Sequence, residues 1–565
     1  MPAQAADAPS HFQRWRSATL APFEHRAFAL FWWASLASSF GSLIQTVGAS
    51  WLMATLAPGV DKVALVQTAG ALPFFFLSLL AGALADTRDR RMIMLASQVA
   101  TLLASAALAA VALAGQVTPS LLLGFTFLIS CGAALFAPAW QASIGDQVPR
   151  EQIAPAIMAN AVGFNVARSV GPAIGGLIVA AAGAAAAFVI NTVSYLGIIV
   201  TLLWWRPERV RSELPPEPLV PAIGAGIRYI RLSPHLVAIM VRCILFTLPI
   251  AVVPALMPVV ARDLLGGGAP TYGLLLGGFG VGAMMGALGS AALRTRFSAD
   301  GLLRVLAAVA CVAMVVIGQS RWMAMTLLAH VLAGSVWTLG FANFNIAVQL
   351  SSPRWVTGRM LAHYQTLSFA AIALGSWLWG EFAHAQGLRE TLTVAGLAAL
   401  FPLAVARWLP VNIPQLGALD PRARAAIAPP SVEIHAASGP IVVNIEYRVP
   451  PRNAVEFVAV INEVGRLRRR DGARSWSICQ DIDAPDLWVE RFECPTWMDY
   501  LRWRTRRTES DHAVRARVDA LIHGERTHAR RLVERPPGAD PLGTPPVSAP
   551  PVTGTERGLH GDLSS

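Results

Sequence analysis

Apolar segments follow one another along most of the chain, from about Phe28 to Leu409. Each has roughly twenty residues, which is enough to cross a ~30 Å hydrocarbon core as a helix. The segments lack the alternation of apolar and polar residues that barrel strands require. The pattern therefore predicts membrane-spanning helices. We place twelve of them at 28–54, 63–85, 92–115, 119–141, 156–181, 184–205, 236–261, 270–293, 302–319, 323–349, 360–383 and 391–409.

The predicted helices form two groups of six, at 28–205 and 236–409, joined by a polar loop at 206–235. Two similar groups are typical of transporters built from paired repeats around a site near the middle of the bilayer. Arginine is concentrated in every second loop, which predicts that those loops and both ends of the chain are cytoplasmic. The cytoplasmic set is Arg88, Arg90, Arg91, Arg150, Arg206, Arg209, Arg211, Arg228, Arg231, Arg294, Arg296, Arg304, Arg354 and Arg359.

The two ends of the chain differ from its helical middle. Residues 1–27 are mixed and partly basic, and we interpret them as a retained cytosolic arm. A Pro/Ala linker at 410–439 leads to 440–535, where strand and helix patterns follow the β-α-β-β-α-β order of the ferredoxin-like motif. Residues 536–565 are rich in Pro, Gly, Ser and Thr and are expected to be a disordered tail. The expected fold class is all-α membrane, a twelve-helix bundle of two six-helix halves, followed by a small α+β ferredoxin-like cytosolic domain.

The composition agrees with a membrane protein. Hydrophobic residues make up 54% of the chain and charged residues 14%, whereas soluble domains carry about a quarter charged residues. The net charge of +11 comes from loops and from the C-terminal region, so we expect no nucleic-acid partner. The five cysteines show neither metal-ligand spacing nor a disulfide framework. The sequence predicts no cofactor, metal site or catalytic residue.

The loop after the second helix carries a motif, which reads Gly82-Ala83-Leu84-Ala85-Asp86-Thr87-Arg88-Asp89-Arg90-Arg91. It resembles the G-x-L-a-D-r-x-G-r-R/K signature of the major facilitator superfamily, with Asp89 at the usual glycine position. The resemblance implies a latch that holds the cytosolic side in the outward-open state. The alternative is a plain positively charged cytosolic loop. The latch residues would be Gly82, Asp86, Arg88, Arg90 and Arg91.

A second motif lies in the fifth helix, at 171–176. Its sequence Gly171-Pro172-Ala173-Ile174-Gly175-Gly176 resembles the antiporter motif of drug exporters in the same superfamily. Proline bends a helix because it removes a backbone hydrogen bond, and glycines permit close approach of a neighbouring helix. The motif residues Gly171, Pro172, Gly175 and Gly176 therefore predict a bent, tightly packed helix, and the resemblance implies export. The alternative is generic helix packing.

Arg168 is the most informative residue inside a predicted span. It lies roughly 18 Å into the fifth helix, and a charge near mid-membrane is by default a functional hypothesis. We expect it to face a central cavity and to bind an anionic substrate or an acidic partner; a structural arginine neutralised by carbonyls is the alternative. Polar residues in other spans either line the cavity or join helices. The candidate cavity set is Gln45, Asn165, Arg168, Arg242, Asn343 and Gln365.

Stretches at 32–52 and 145–151 resemble the transmembrane secretion effector group of the superfamily, which includes the enterobactin exporter. This resemblance implies export of a siderophore- or drug-like small molecule across the bacterial inner membrane by alternating access. It also implies coupling to an ion gradient, with H+ as the expected ion.

The domain at 440–535 resembles the antibiotic-biosynthesis monooxygenase fold, through its strand order and the stretch 497–503. The resemblance implies dimerisation through this domain. It also leaves open an alternative function, a membrane-tethered enzyme or regulator in which this domain carries the main activity. Trp476, Trp488 and Trp503 line either a pocket or the core. The run Arg466, Arg468, Arg469 and Arg470 forms either a solvated helix face or a contact with anionic lipid.

Overall fold

The computed structural model describes residues 21–57, 59–87, 89–206, 219–353, 355–411, 419, 430–432, 434–506, 508–524 and 529–535 of the 565-residue chain. The side chains at 83, 85–87, 150, 154 and 219–222 lie outside this description, as do the predicted tail at 536–565 and most of the predicted arm at 1–27. The chain divides into two compact units, Met1–Gln415 and Leu416–Ser565. That boundary falls within the predicted linker; the finer domain bounds stay predictions.

Six helical segments form the first half of the membrane unit. Four are separate helices: α1 (Arg26–Leu56), α2 (Val60–Thr87), α3 (Arg90–Leu113) and α4 (Pro119–Ser143). The next run, Ile153–Trp204, has 52 residues and is broken at Gly183, whose φ is 78°. Glycine adopts this φ without strain because it has no Cβ. The run therefore divides into α5 (153–182) and α6 (184–204), close to the two spans that the sequence predicts.

The second half follows the loop helix α7 (Leu219–Arg231). Its first span consists of α8 (Pro234–Ile250), α9 (Val252–Val259) and a π-helical turn at Val260–Leu264. Prolines at 249 and 258 interrupt the regular hydrogen bonding of this span. The remaining helices are α10 (Ala269–Arg296), α11 (Ala299–Gln319), α12 (Met323–Leu350), α13 (Thr357–Gln386), α14 (Leu388–Ala398) and α15 (Phe401–Val405).

Ten stretches within the described ranges are long and apolar enough to cross a membrane. One of them, Pro155–Trp204, contains the break at Gly183 and therefore supplies two spans. Helix α13 is also long enough, with 30 residues, but its charged and amide side chains make it more polar. Together these segments give twelve spans in two groups of six, which confirms the predicted bundle.

The C-terminal unit is a four-stranded antiparallel sheet with helices, in the predicted β-α-β-β-α-β order. The strands are arranged as β2-β3-β1-β4, with β1 in the centre beside β3. Ile441 of β1 lies opposite Cys494 of β3 and Val533 of β4. The elements are β1 (Ile441–Arg448), α16 (Ala454–Asp471), β2 (Ser475–Gln480), β3 (Leu487–Cys494), α17 (Trp497–Thr505), α18 (Glu509–Asp519) and β4 (Arg530–Val533).

The core of the C-terminal unit follows from the period-two pattern of β1. Ile441, Val443 and Ile445 share one face of the strand because side chains alternate across a sheet. All three are buried, and they belong to one apolar cluster with Phe457 of α16 and Phe492 of β3. The helices thus cover one face of the sheet, which confirms the small α+β fold.

Candidate functional site

The two halves of the membrane unit meet mainly along two helix pairs, and the first is α2 with α13. Small residues let these helices approach each other, since a Cβ built on Gly380 would lie 2.5 Å from the Cβ of Ala64. In order along α2, the contacts are Asp61 Oδ1 with His384 Nδ1 (3.6 Å), Ala64 with Gly380, Thr68 Oγ1 with Ala373 O (3.2 Å) and Phe74 with Phe369 (ring centroids 4.5 Å apart).

The second pair is α5 with α10, whose backbones touch. A Cβ built on Gly176 would lie 2.7 Å from the backbone oxygen of Ala269 and 3.0 Å from the Cα of Gly273. Further contacts of this pair are Gly273 with Pro172, Gly277 with Ser169 and Ala173, and Gly280 with Arg168 and Ser169. We call the surface between the two halves that these two helix pairs form the seam.

The antiporter-like residues place α5 between a helix of its own half and a helix of the other half. A Cβ on Gly171 would lie 3.3 Å from the Cβ of Leu43, and a Cβ on Gly175 would lie 3.0 Å from the Cα of Ile44, both on α1. Gly176 instead faces α10, and Pro172 lies inside the helix between them. The motif is therefore packed on two sides.

The described contacts between the halves lie towards one end of the bundle. Beyond Phe74 on α2 and Gly280 on α10, a Cβ built on Gly82 or on Gly289 would meet no atom of the described residues within 4 Å. Gln365, one turn before Phe369 on α13, is exposed. We call the end near Asp61 and Gly176 the closed end, and the end near Gly82 and Gly289 the open end.

Asp89 and Arg90 organise the loop at the open end. The Asp89 side chain accepts hydrogen bonds from the backbone N–H groups of Arg91 (3.0 Å) and Met92 (3.4 Å), so Asp89 is the N-cap of α3. Arg90 donates at 3.2 Å to the backbone oxygen of Ala142 and at 3.2 Å to the Asp146 carboxylate. The acid at the usual glycine position therefore has a structural role.

Arg91 fastens the end of α6. Its guanidinium donates to the backbone oxygens of Leu202 (2.7 Å) and Leu203 (3.0 Å). These carbonyls belong to the last turn of the helix, where intrahelical donors are missing. The side chain of Asp86 and all of Arg88 lie outside the described residues. The latch role of this loop therefore stays a prediction.

Arg242 lies away from the seam. Its side chain is 1% exposed and donates to Asp300 at 2.7 Å and to the backbone oxygen of Leu409 at 3.2 Å. Asp300 also accepts from the backbone N–H of Val411 at 3.4 Å. The predicted cavity role of Arg242 finds no support here, because the pair ties the chain after α15 to the start of α11, much as Arg91 ties α6 to α3.

Gln45 and Asn343 also join helices within one half. Gln45 accepts hydrogen bonds from Ser105 (3.2 Å) and from Asn191, which links α1 to α3 and α6. Asn343 donates to the backbone oxygen of Ala299 at 3.0 Å and links α12 to α11. Both side chains are buried. The arrangement matches the alternative interpretation, that of interhelical hydrogen bonds.

Arg168 lies at the seam, Asn165 is one turn before Ser169 on α5, and Gln365 is one turn before Phe369 on α13. Arg168 is halfway along α5, and its guanidinium carbon lies 5.6 Å from the ring centroid of Phe279 on α10. The contact therefore crosses from one half to the other. Within the described part of the chain, no carboxylate pairs with Arg168. Asn165 is partly exposed and donates to the backbone oxygen of Ala161 at 2.8 Å.

Aromatic side chains continue from Arg168 across the seam, and the sequence analysis missed them. Phe279 lies 5.9 Å from Trp337, and Trp337 lies 5.0 Å from Phe341, measured between ring centroids. Trp337, Phe341 and Phe369 pack around Ala71, Ile372 and Ala373 of α2 and α13. We call the following residues the aromatic arc: Phe74, Phe279, Trp337, Phe341 and Phe369.

A weak sequence signal for the aromatic arc exists. Trp337 and Phe341 are four residues apart, so they share one face of α12. Phe74 begins a run of three phenylalanines, in which the sequence alone does not show which ring faces the protein. All members except Phe279 are partly exposed. The arc therefore combines apolar contact surface with access from the seam.

Arg468, one of the four arginines of the run at 466–470, forms a buried ion pair and not part of a solvated face or a lipid contact. Arg468 is 2% exposed, donates to both Glu490 oxygens (2.9 and 3.1 Å) and lies over the rings of Phe492 and Trp503. Burial by itself would raise the pKa of Glu490, but the adjacent Arg468 lowers this pKa to about 2. Trp503 is a core residue of this unit, and Trp476 donates to Glu490 at 2.9 Å.

A second buried group surrounds Arg470, which the sequence also placed on the solvated face. Arg470 donates to Asp471 at 2.8 Å and to Asp511 at 2.8 Å. Burial raises the pKa of Asp471 to about 6. Arg468 and Arg470 therefore stabilise the domain from inside, and neither side chain is available to a lipid surface.

Comparison with known proteins places these features in a family. The family model described as "transmembrane secretion effector" matches residues 17–536. The multidrug efflux pump Tap of Mycolicibacterium fortuitum is 28% identical over 404 residues, which cover 68% of this chain and 95% of that protein. Tap of Mycobacterium tuberculosis (strain H37Rv) is 25% identical over 405 residues, with 68% and 93% covered.

Solved transporters share the fold of the membrane unit. A bacterial homologue of the human lysosomal transporter Spinster, in an inward-facing and occupied conformation, aligns with a TM-score of 0.56 at 14% identity. The alignment covers 68% of this chain and 97% of that structure. The nucleoside transporter NupG aligns with a TM-score of 0.55 at 11% identity and covers 68% and 98%.

Proposed function

This chain belongs to the transmembrane secretion effector family and is a transporter of the major facilitator type, and we propose that it exports small drug-like molecules by alternating access. The observation that carries the proposal is the asymmetric seam: the helices touch near Gly176, whereas a Cβ on Gly82 would meet no described atom within 4 Å. A bundle in this arrangement presents the site between its halves to one side of the membrane only. When the open end closes and the closed end opens, the cargo would be released on the other side of the membrane.

The direction of transport is proposed from charge and from the relatives. Arg90 and Arg91 lie at the open end, and Arg294 and Arg296 lie at the corresponding end of α10. Positively charged loops stay in the cytosol, so the open end would face the cytoplasm of a cell whose inner membrane holds the protein, with both termini inside. The Tap relatives are named multidrug efflux pumps, which supports drug-like cargo moving outward. A siderophore cargo stays a prediction.

The motif residues receive roles within this cycle. Gly82 has open space beside it in the present conformation, as expected of a latch residue that packs only when the open end closes. We assign the latch to Gly82, Asp86, Arg88, Arg90 and Arg91, and the closed end to Gly171, Pro172, Gly175 and Gly176. We assign substrate contact to Asn165, Arg168 and Gln365, and coupling to H+.

Dye efflux from energised cells tests the proposal. A drug-sensitive bacterial host that expresses the chain should accumulate less ethidium, and a protonophore should restore the accumulation. Asp86→Asn should abolish efflux while the protein still inserts in the membrane. Asp89→Asn is the matched control: asparagine also caps helices, so this variant should keep its efflux.

Three outcomes separate the parts of the proposal. Equal accumulation with and without the chain, for cationic, neutral and anionic dyes alike, would contradict export. Full efflux by Asp86→Asn would remove the latch assignment but leave export intact. Efflux that persists with the protonophore but needs a sodium gradient would identify Na+, and not H+, as the coupling ion.

A further inference from the structure

Arg168 carries a positive charge that the described protein leaves without a counter-charge. Its guanidinium does not lose its proton in proteins, and it sits halfway along a membrane-spanning helix. A charge in that environment costs several kcal/mol unless it is paired. The Phe279 ring, 5.6 Å away, supplies only part of the compensation, since a cation–π contact contributes about 0.5–2 kcal/mol. An anion at this position would supply the rest.

The surroundings of Arg168 are aromatic. The arc runs from Phe279 on α10 through Trp337 and Phe341 on α12 to Phe369 on α13 and Phe74 on α2. Rings from both halves therefore lie along one path that starts at the guanidinium. Flat apolar ligands gain stacking and burial energy against such rings, and arginine binds carboxylates with two parallel hydrogen bonds.

A small cavity borders two rings of the arc. It is apolar, has a volume of about 10 Å³, and is lined by Phe279, Trp337 and residues of α8, α9 and α11. A void of this size holds at most one water molecule, so it is too small for a substrate.

We propose that Arg168 and the aromatic arc form a binding site for a planar aromatic anion, with the carboxylate or sulfonate on Arg168 and the ring system against the arc. This inference rests on the proposed function, because it names the class of cargo for the same seam. It requires that ligands with the same flat skeleton but opposite charge differ in affinity, and that the difference depends on Arg168.

The test compares two xanthene dyes with the same flat skeleton: 5-carboxyfluorescein, an anion, and rhodamine 6G, a cation. Their binding to the purified full chain in lipid nanodiscs is measured by fluorescence anisotropy. The wild type should bind the anion at least tenfold more tightly than the cation. Arg168→Gln should weaken anion binding at least tenfold and should leave the affinity for the cation within threefold of the wild-type value. Arg321→Gln, at an exposed arginine in a loop, should change neither.

The aromatic arc is tested with a matched pair of phenylalanines on one helix. Phe74→Leu should weaken the binding of both dyes several-fold, because the Phe74 ring stacks on Phe369 in the arc. Phe76→Leu should leave both unchanged, because that ring is 62% exposed and belongs to no contact of the seam. Trp337→Leu should act like Phe74→Leu. Equal effects of Phe74→Leu and Phe76→Leu would remove the arc from the site.

Failure of this inference can be told apart from failure of the proposed function. A chain that exports rhodamine 6G but neither prefers 5-carboxyfluorescein nor responds to Arg168→Gln is an exporter without this site. A chain that binds the anion through Arg168 but moves neither dye has the site without the proposed function. If Arg168→Gln does not fold, the wild-type preference decides, and tighter binding of the cation overturns the inference.

Discussion

Replacing Gly176 with alanine should shift the transporter away from the conformation described here. The Gly176 Cα faces the backbone of α10, and an added Cβ would lie 2.7 Å from the oxygen of Ala269 and 3.0 Å from the Cα of Gly273. Both neighbours are backbone atoms, so no side-chain rotation can relieve the contact. The two helices belong to different halves, so relief requires the closed end to separate.

The size of the shift follows from the cost of overpacking. One extra methyl group in a tight contact costs about 1–3 kcal/mol, and that energy corresponds to a change of about 5- to 150-fold in a conformational equilibrium. The cost falls only on the conformation in which Gly176 touches α10. Gly282→Ala is the control, because Gly282 packs on Val331 of α12 inside one half. That clash should persist in every conformation and should lower stability without shifting the equilibrium.

Cysteine labelling measures the opening of the closed end. Ala64 is fully buried beside Gly380, so Ala64→Cys should react slowly with a membrane-impermeant maleimide when the other cysteines have been replaced. Gly176→Ala should speed labelling about fivefold or more, and Gly282→Ala should leave the rate unchanged. An unchanged rate with Gly176→Ala, or the same acceleration by both substitutions, would refute the argument that this contact holds the halves together.

Three further predictions concern the other buried contacts. Glu490→Gln should lower the free energy of unfolding of the C-terminal unit, measured in urea, by about 3–5 kcal/mol because its buried arginine loses its partner. Glu463 is partly exposed, so the control Glu463→Gln should lower this free energy by less than about 1 kcal/mol. Equal losses for the two variants would contradict the role of the buried ion pair. Burial raises the pKa of Asp471 to about 6, so its contribution to the stability of the C-terminal unit is complete below pH 3.8 and is lost as the pH rises through 6. The free energy of unfolding of this unit should therefore fall by about 1 kcal/mol from pH 5 to pH 7, and Asp471→Asn should abolish this dependence. Arg91→Ala should lower the melting temperature in detergent, because two α6 carbonyls lose a charged donor worth about 1.5–3 kcal/mol each; an unchanged melting temperature would remove that role.

The spans could be predicted because their signal is local. A membrane helix needs an uninterrupted apolar length, and that length can be read within each segment. The break at Gly183 falls between the spans predicted at 156–181 and 184–205. The order of strands and helices along the C-terminal unit also follows from local periodicity. The aromatic arc has no comparable local signal.

Polar residues inside the spans were harder to assign. Their presence is visible in the sequence, but the face of the helix that meets a neighbour depends on which helices pack together. Gln45 points to α3 and α6, and Arg242 finds Asp300 at the start of α11. A buried amide or guanidinium needs a partner wherever one is near, and these partners lie 58 or more positions away along the chain.

The sequence by itself determined the twelve spans, the two halves, the family motifs and the α+β domain, because each depends on residues close together along the chain. Only the tertiary structure decided which end of the seam is closed, and which side chains share it with Arg168. Those contacts join residues that are far apart in sequence, such as Phe74 with Phe369 and Arg168 with Phe279. Such pairs form only when the halves pack together, and this packing changes during alternating access, so no local pattern encodes it.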